Sequence, residues 1–205
     1  PLWTLLAAGR PVRLPLPQVQ IFGGGAHAAR RVDIQDFLAV PLGASTLREA
    51  LELVEAVYRH AGLLMSEAGK LGGTADEGGW WPVFDSNEDA LAMLTAAIER
   101  AGFRPAEDVA IAVDVAASEF VSDSGYVLGL ERRRLVGGEW LEQLANWIGR
   151  FPIVSIEDPL GQDDDDGWRA FGARFRGELQ IVGDDYLVTS AARVRKAAAE
   201  RTCNA

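Results

Sequence analysis

The 205-residue chain has one cysteine and two histidines. The lone Cys203 excludes an internal disulfide framework and suits a reducing compartment, so a cytoplasmic location is expected. Two histidines and one cysteine are too few for a typical structural zinc site. Lysine is scarcer than arginine: Lys70 and Lys196 are the only two. Basic charge is in deficit as well, with 20 Lys and Arg against 30 Asp and Glu and a net charge of −10, which argues against a nucleic-acid partner. Long apolar runs are missing, so no membrane span is expected. The opening Leu2–Ala8 stretch is apolar but short, with no basic residue before it, and makes a poor signal peptide. Repeats, low-complexity tracts and dividing linkers are absent too. With 48% hydrophobic and 24% charged residues, residues 1–205 read as one domain around a substantial core.

What is present centres on Ile153-Val154-Ser155-Ile156-Glu157-Asp158-Pro159. The β-branched run predicts a buried parallel strand, and Pro159 ends it because proline cannot donate to a ladder. Two carboxylates at the lip of such a strand are costly unless something pairs with them. A single acid pair of this kind reads most simply as a cap or a solvated loop. The pattern recurs, however. Val109–Val113 runs into Asp114, and Leu179–Gly183 runs into Asp184 and Asp185. The spacings leave room for a strand, a helix and two loops each. Strand ends in a parallel α/β sheet or barrel converge on one face, so these acids are expected to form a hard-oxygen site suited to Mg²⁺.

Other segments supply context. Leu14–Phe22 is extended and leads into Gly23-Gly24-Gly25, which lacks the Gly-Lys-Ser/Thr ending of a phosphate-binding loop and reads as a flexible turn. His27 follows it; a lone histidine there is more often a surface residue than a catalyst. Ile34–Val40 predicts a second strand carrying Gln35 and Asp36. Thr46 and Glu49 form a capping box for a helix with Leu47, Ala50, Leu51, Val54, Val57, Ala61 and Leu64 on its apolar face. The glycine-rich stretch 71–81, holding Asp76-Glu77-Gly78-Gly79, reads equally as a lid or a connector. Ser124-Gly125 suggests a small hairpin. Asp163–Asp166 reads as a solvated helix start, and Trp168, Phe171 and Phe175 as its core stripe. The alternation argues for parallel α/β with five barrel-type strands. A closed barrel takes eight strands and about 250 residues. The chain, which opens on Pro1 rather than Met, is therefore expected to be cut within a domain.

Taken in order, F-G-G-G-A-H-A, D-I-Q-D-F, D-E-G-G-W-W-P, D-V-A-A-S-E-F, P-I-V-S-I-E-D-P and I-V-G-D-D resemble the barrel domain of enolase (phosphopyruvate hydratase), from about Leu14 onward. The resemblance implies a partial TIM-like (β/α) barrel truncated before its sixth strand, without the smaller N-terminal domain. It implies a Mg²⁺-dependent glycolytic lyase that interconverts 2-phosphoglycerate and phosphoenolpyruvate, and a homodimer at full length. By resemblance Asp114, Glu157 and Asp184 bind the metal, Glu77 donates a proton, and His27, Gln35 and Asp36 lie at the substrate. The sequence departs from the pattern at Asp36, where the family has Glu, at Gly23 and Ala75, and at Trp80-Trp81, which implies a reshaped pocket. The family's general-base lysine, on the sixth strand, is matched by neither Lys70 nor Lys196, so this chain alone is expected to be inactive. The alternatives are a divergent paralogue acting on a related phospho- or phosphonocarboxylate, and a non-catalytic remnant.

Overall fold

The computed structural model describes residues 1–205 except for the side chain of His27, so that expectation lies outside the described residues. The elements in chain order are α1 (Leu2–Ala7), β1 (Val19–Gly23), β2 (Asp36–Val40), α2 (Leu47–Glu67), β3 (Leu71–Thr74), β4 (Trp80–Pro82), α3 (Asn87–Arg100) and β5 (Ala110–Asp114). They continue with β6 (Val121–Ser122), β7 (Gly125–Leu128), β8 (Arg133–Leu135), α4 (Gly137–Arg150), β9 (Ile153–Glu157), α5 (Asp165–Phe175), β10 (Gln180–Val182) and α6 (Ala191–Glu200). Seven strands form one sheet in the order β10-β9-β5-β2-β1-β4-β3, and β6-β7-β8 make a small separate sheet. Among the described residues the large sheet is open, with β10 and β3 at its edges, as a partial barrel requires.

The sheet departs from the all-parallel expectation at β2. This strand pairs antiparallel with both β1 and β5, while β5, β9 and β10 run parallel. The reason is the connection: β1 and β2 are joined by the glycine turn with no crossover helix, and parallel neighbours need one. The reversal has a consequence for chemistry. The first residue of β2, Asp36, sits opposite the last residue of β5, Asp114, which in turn sits opposite the last residue of β9, Glu157. Three acids thus form one row across three strands.

Side-chain alternation separates the two faces of the sheet. Phe37, Ala39, Ile111 and Val113 join the main core with Val54, Val57, Leu91, Leu94 and Ile98 of α2 and α3. Leu38, Val40, Ala110, Ala112 and Val154 form a second apolar cluster, on the face that a barrel would turn inward. Asp36 and Asp114 continue this second face to its lip, because they share its parity along β2 and β5.

Helix starts follow the sequence signals. Thr46 Oγ1 accepts from Glu49 N at 3.2 Å and the Glu49 carboxylate accepts from Thr46 N at 3.2 Å, closing the expected capping box. Ser86, Asp164 and Ser190 cap α3, α5 and α6. Asp165 and Asp166 lie in the first turn of α5, and Trp168, Phe171 and Phe175 are its buried stripe, as the pattern predicts. The α2 stripe is rotated from expectation: Leu47 and Leu51 are 46% and 52% exposed, and Gly62 and Met65 are buried instead. The glycine-rich stretch 71–81 is the hairpin β3–β4, which adds to the outer edge of β1 through β4. The hairpin at Ser124-Gly125 is present and gains a third strand.

Candidate functional site

The lip of the sheet gathers the acids. Carboxylate oxygens of Asp114, Glu157 and Asp158 all lie within 4.8 Å of one another. Burial pushes the Asp114 carboxyl up to about 8, helped by the charges of Glu157, Asp36 and Asp158 and opposed by the Ala116 N–H. Burial likewise raises Glu157 to about 7, with Asp158, Asp184, Asp36 and Asp185 adding to it. Asp158 rises to about 6, again first through burial. Three carboxylates side by side repel one another once ionised, so each resists losing its proton. Hard oxygen donors in such a cluster fit a divalent cation such as Mg²⁺.

The neighbours fix these acids in place. Gln35 Nε2 donates to Asp114 Oδ2 at 2.8 Å, and Ala116 N donates to Oδ1 at 3.1 Å. Gln35 N also donates to the Asp114 carbonyl at 3.1 Å, so the residue before β2 is stitched to the end of β5. Asp158, the last acid of the strand-end pair, has φ +40°, a left-handed conformation uncommon for a residue with a Cβ. That turn aims its buried carboxylate at the loop after β10. Oδ1 accepts from Asp184 N at 3.2 Å and Tyr186 N at 3.3 Å; Oδ2 accepts from Asp184 N at 3.2 Å and Asp185 N at 2.8 Å. Three backbone N–H groups thus converge on the Asp158 carboxylate, that of Asp184 shared between its two oxygens. Asp158 is therefore the anchor of the Asp184–Tyr186 turn. Sequence reasoning missed this role, although the acid doublet before Pro159 marked the residue. Asp184 itself stands outside the close trio; its backbone is held by Asp158 and its charge raises Glu157.

Glu77 sits at the exposed tip of the β3–β4 hairpin. The tip is closed by Ala75 N to Gly79 O at 2.7 Å and Gly78 N to Ala75 O at 3.0 Å. Gly78, at φ +97°, takes a left-handed conformation that glycine allows without strain. Gln20 of β1 reaches the tip: its Nε2 donates to Asp36 Oδ1 and, at 3.4 Å, to Glu77 Oε2, while its Oε1 accepts from Gly79 N at 2.7 Å.

The paired tryptophans brace this hairpin. Trp80 turns toward α2, stacks on Tyr58 with ring centroids 4.5 Å apart, and donates from Nε1 to Tyr58 O at 2.8 Å. Tyr58 Oη donates to Gly78 O at 2.9 Å. Trp81 donates from Nε1 to Ala28 O at 2.7 Å, under the Arg31 guanidinium. Their effect on the site thus runs through the backbone of the hairpin and of the glycine turn. A second connection went unread in the sequence. Buried Asn87 accepts from Asp33 N and Ile34 N and donates to Asp33 Oδ2, holding the approach to Gln35 and Asp36 against the start of α3.

Comparison with known proteins agrees with this arrangement. The family model "Enolase, C-terminal TIM barrel domain" matches residues 11–205. The enolase of Rubrobacter xylanophilus is 43% identical over 196 residues, covering 96% of this chain and 46% of that protein. Enolase 1 of Desulfitobacterium hafniense is 41% identical over 208 residues, covering 100% of this chain and 48% of that protein. The chain spans about half the length of these curated relatives. With a matching family model over almost its whole length, on an open sheet whose acids meet at one lip, this chain belongs to the enolase family as part of its C-terminal barrel domain.

Proposed function

We propose that the chain supplies the metal- and acid-bearing part of a lyase that interconverts 2-phosphoglycerate and phosphoenolpyruvate in glycolysis. The observation that carries this reading is the in-register row Asp36, Asp114, Glu157, joined by Asp158 into one acidic cluster at the lip of the sheet. Asp114 and Glu157 would offer oxygens to a Mg²⁺ ion, and by family resemblance Asp184, whose backbone Asp158 holds, would be the third ligand. When bound, Mg²⁺ stabilises the negative charge that grows on the substrate carboxylate as the neighbouring carbon loses its proton. Gln35 keeps the Asp114 carboxylate in one orientation. Glu77, reached by the Gln20 amide, donates the proton that lets hydroxide leave as water. Asp36 and His27 complete the substrate contacts. No lysine of the chain matches the family's general base, so residues 1–205 alone do not turn over. At full length the protein is read as a cytoplasmic homodimer; the net charge of −10 on residues 1–205 speaks against a nucleic-acid partner, and none of the helices described among them is long and apolar enough to cross a membrane.

The test is a direct assay. The full-length gene product is expected to convert 2-phosphoglycerate with Mg²⁺ and to stop when the metal is chelated. Residues 1–205 by themselves are expected to be silent. Turnover by the isolated chain, or none by the full-length protein, defeats this reading. A second reading, a paralogue for a related phospho- or phosphonocarboxylate, is favoured by the altered surroundings of Glu77. A Cβ on Gly23 would lie 2.5 Å from Ala75 Cβ, so the glycine turn and the hairpin pack more closely than side chains at both positions allow. Competition between 2-phosphoglycerate and its phosphonate analogues separates the two readings.

A further inference from the structure

We propose that Gln20 is a positioning residue that holds Glu77 and Asp36 as one unit, an inference that rests on the proton-donor role given to Glu77 above. Gln20 is a polar side chain buried in β1, 7% exposed, and its amide is fully committed. The Gly79 N–H can be met only by the carbonyl oxygen, at 2.7 Å. Both amide hydrogens then face carboxylates, one on Asp36 Oδ1 and one on Glu77 Oε2 at 3.4 Å. An amide does not titrate in the working range, so it presents a donor to both carboxyl groups at every pH.

The surroundings are shaped to this side chain. A Cβ on Gly79 would lie 2.5 Å from Gln20 Oε1 and 2.9 Å from its Cδ. A Cβ on Gly23 would lie 3.0 Å from Gln20 Nε2. Neither glycine has a positive φ, so space and not backbone conformation favours glycine there, at Gly79 beside Gln20 and at Gly23 first beside Ala75 Cβ, 2.5 Å away. A buried glutamine needed only to satisfy one N–H would not require two carboxylate partners. The clasp also crosses elements: it joins β1, the start of β2 and the tip of the β3–β4 hairpin. Tyr58 and Trp80 hold that hairpin from behind, while Gln20 sets where its acid points.

Three variants of the full-length gene product test this. Gln20→Leu keeps the bulk and removes the donors. Gln20→Asn keeps the amide but shortens its reach by one methylene. Gln20→Asn with Asp36→Glu moves that methylene to the partner. Gln20→Leu is expected to lower kcat about 10²-fold, the scale of a 1 Å misplacement, with KM for 2-phosphoglycerate within about twofold. Gln20→Asn is expected to lose about tenfold in kcat, and the double variant to regain most of that loss. A kcat within about twofold of the unsubstituted protein in Gln20→Leu overturns the inference, as does a double variant no better than the product of its single changes. If the unsubstituted protein does not act on 2-phosphoglycerate, the functional reading fails on its own. The clasp is then read by hydrogen exchange. Gln20→Leu should speed exchange at the Gly79 amide about fivefold, the equivalent of one lost hydrogen bond, and unchanged exchange refutes it.

Discussion

At the scale of the residue, Asp158 holds the backbone turn that carries Asp184, at the lip where the proposed metal site lies. Its carboxylate is near Asp114 and Glu157 and accepts from the N–H groups of Asp184, Asp185 and Tyr186. Charge-assisted bonds of this kind are the stronger class, and removing one partner leaves buried donors unsatisfied. Asp158→Ala is therefore expected to weaken Mg²⁺ binding about 10- to 100-fold, as loss of a supporting contact does. It should also lower unfolding free energy by roughly 2 kcal/mol, with relief of like-charge repulsion offsetting part of the loss. Calorimetric titration with Mg²⁺ and a denaturant melt read the two effects separately. Asp184→Asn should weaken the metal without the stability cost, because the turn is held through the backbone of residue 184. If Asp158→Ala binds Mg²⁺ as tightly as the parent, Asp158 does not anchor the site.

At the scale of the element, the β3–β4 hairpin is where sequence and structure diverge most. Strands ending in Asp114 and Glu157 were legible because a β-branched or apolar run stopped at an acid, with Pro159 as a breaker beside one of them. The capped helices were legible for similarly local reasons. Leu71-Gly72-Gly73-Thr74 has almost none of the composition of a strand, and it pairs only because Trp80 and Trp81 across from it are held by α2 and the segment after the glycine turn. The reversed direction of β2 was equally hidden, since it depends on a turn connecting β1 and β2 and not on the residues of β2 themselves. Of the acid cluster, Asp114 and Glu157 could be picked out by their strand-end pattern, whereas Glu77 is a candidate by resemblance alone. Gln20, Asn87 and the anchoring role of Asp158 could not be picked out, because their partners lie in other elements. Gly62 tests the bracing. In an exposed helix interior, glycine to alanine gains roughly 0.5–1 kcal/mol. Here a Cβ would lie 2.6 Å from Trp80 Cζ2, so the sign should reverse. Gly62→Ala is expected to cost about 1–3 kcal/mol, the range for overpacking, and to speed exchange at Gly78 and Gly79. A stabilised variant would show that Trp80 can move without disturbing the hairpin.

At the scale of the whole molecule, the acidic lip couples folding, protons and metal. Unfolded aspartate and glutamate titrate near 4, whereas Asp114, Glu157 and Asp158 are raised to about 8, 7 and 6 in the fold. Between those limits the folded protein holds more protons than the unfolded chain, so unfolding free energy falls as pH rises. In chelator, the contribution of these groups is present in full below about pH 4 and is lost progressively as pH climbs through 6 to 8. A divalent cation reverses the balance, because it binds the ionised form and competes with protons for it. Mg²⁺ should then raise the unfolding temperature more at pH 8 than at pH 5, by on the order of 5 °C, or roughly 2 kcal/mol for a chain of this size. Thermal melts at both pH values, with chelator and with saturating Mg²⁺, measure all four corners of this cycle. A protein in chelator that grows more stable from pH 5 to 8, or one that Mg²⁺ stabilises equally at both, would mean that the acids of the lip are already neutralised by something other than protons or metal. The same cycle on a Glu157→Gln variant localises the effect: removing one of the raised carboxylates should flatten the pH dependence in chelator and shrink the Mg²⁺ response together, because both arise from the same cluster.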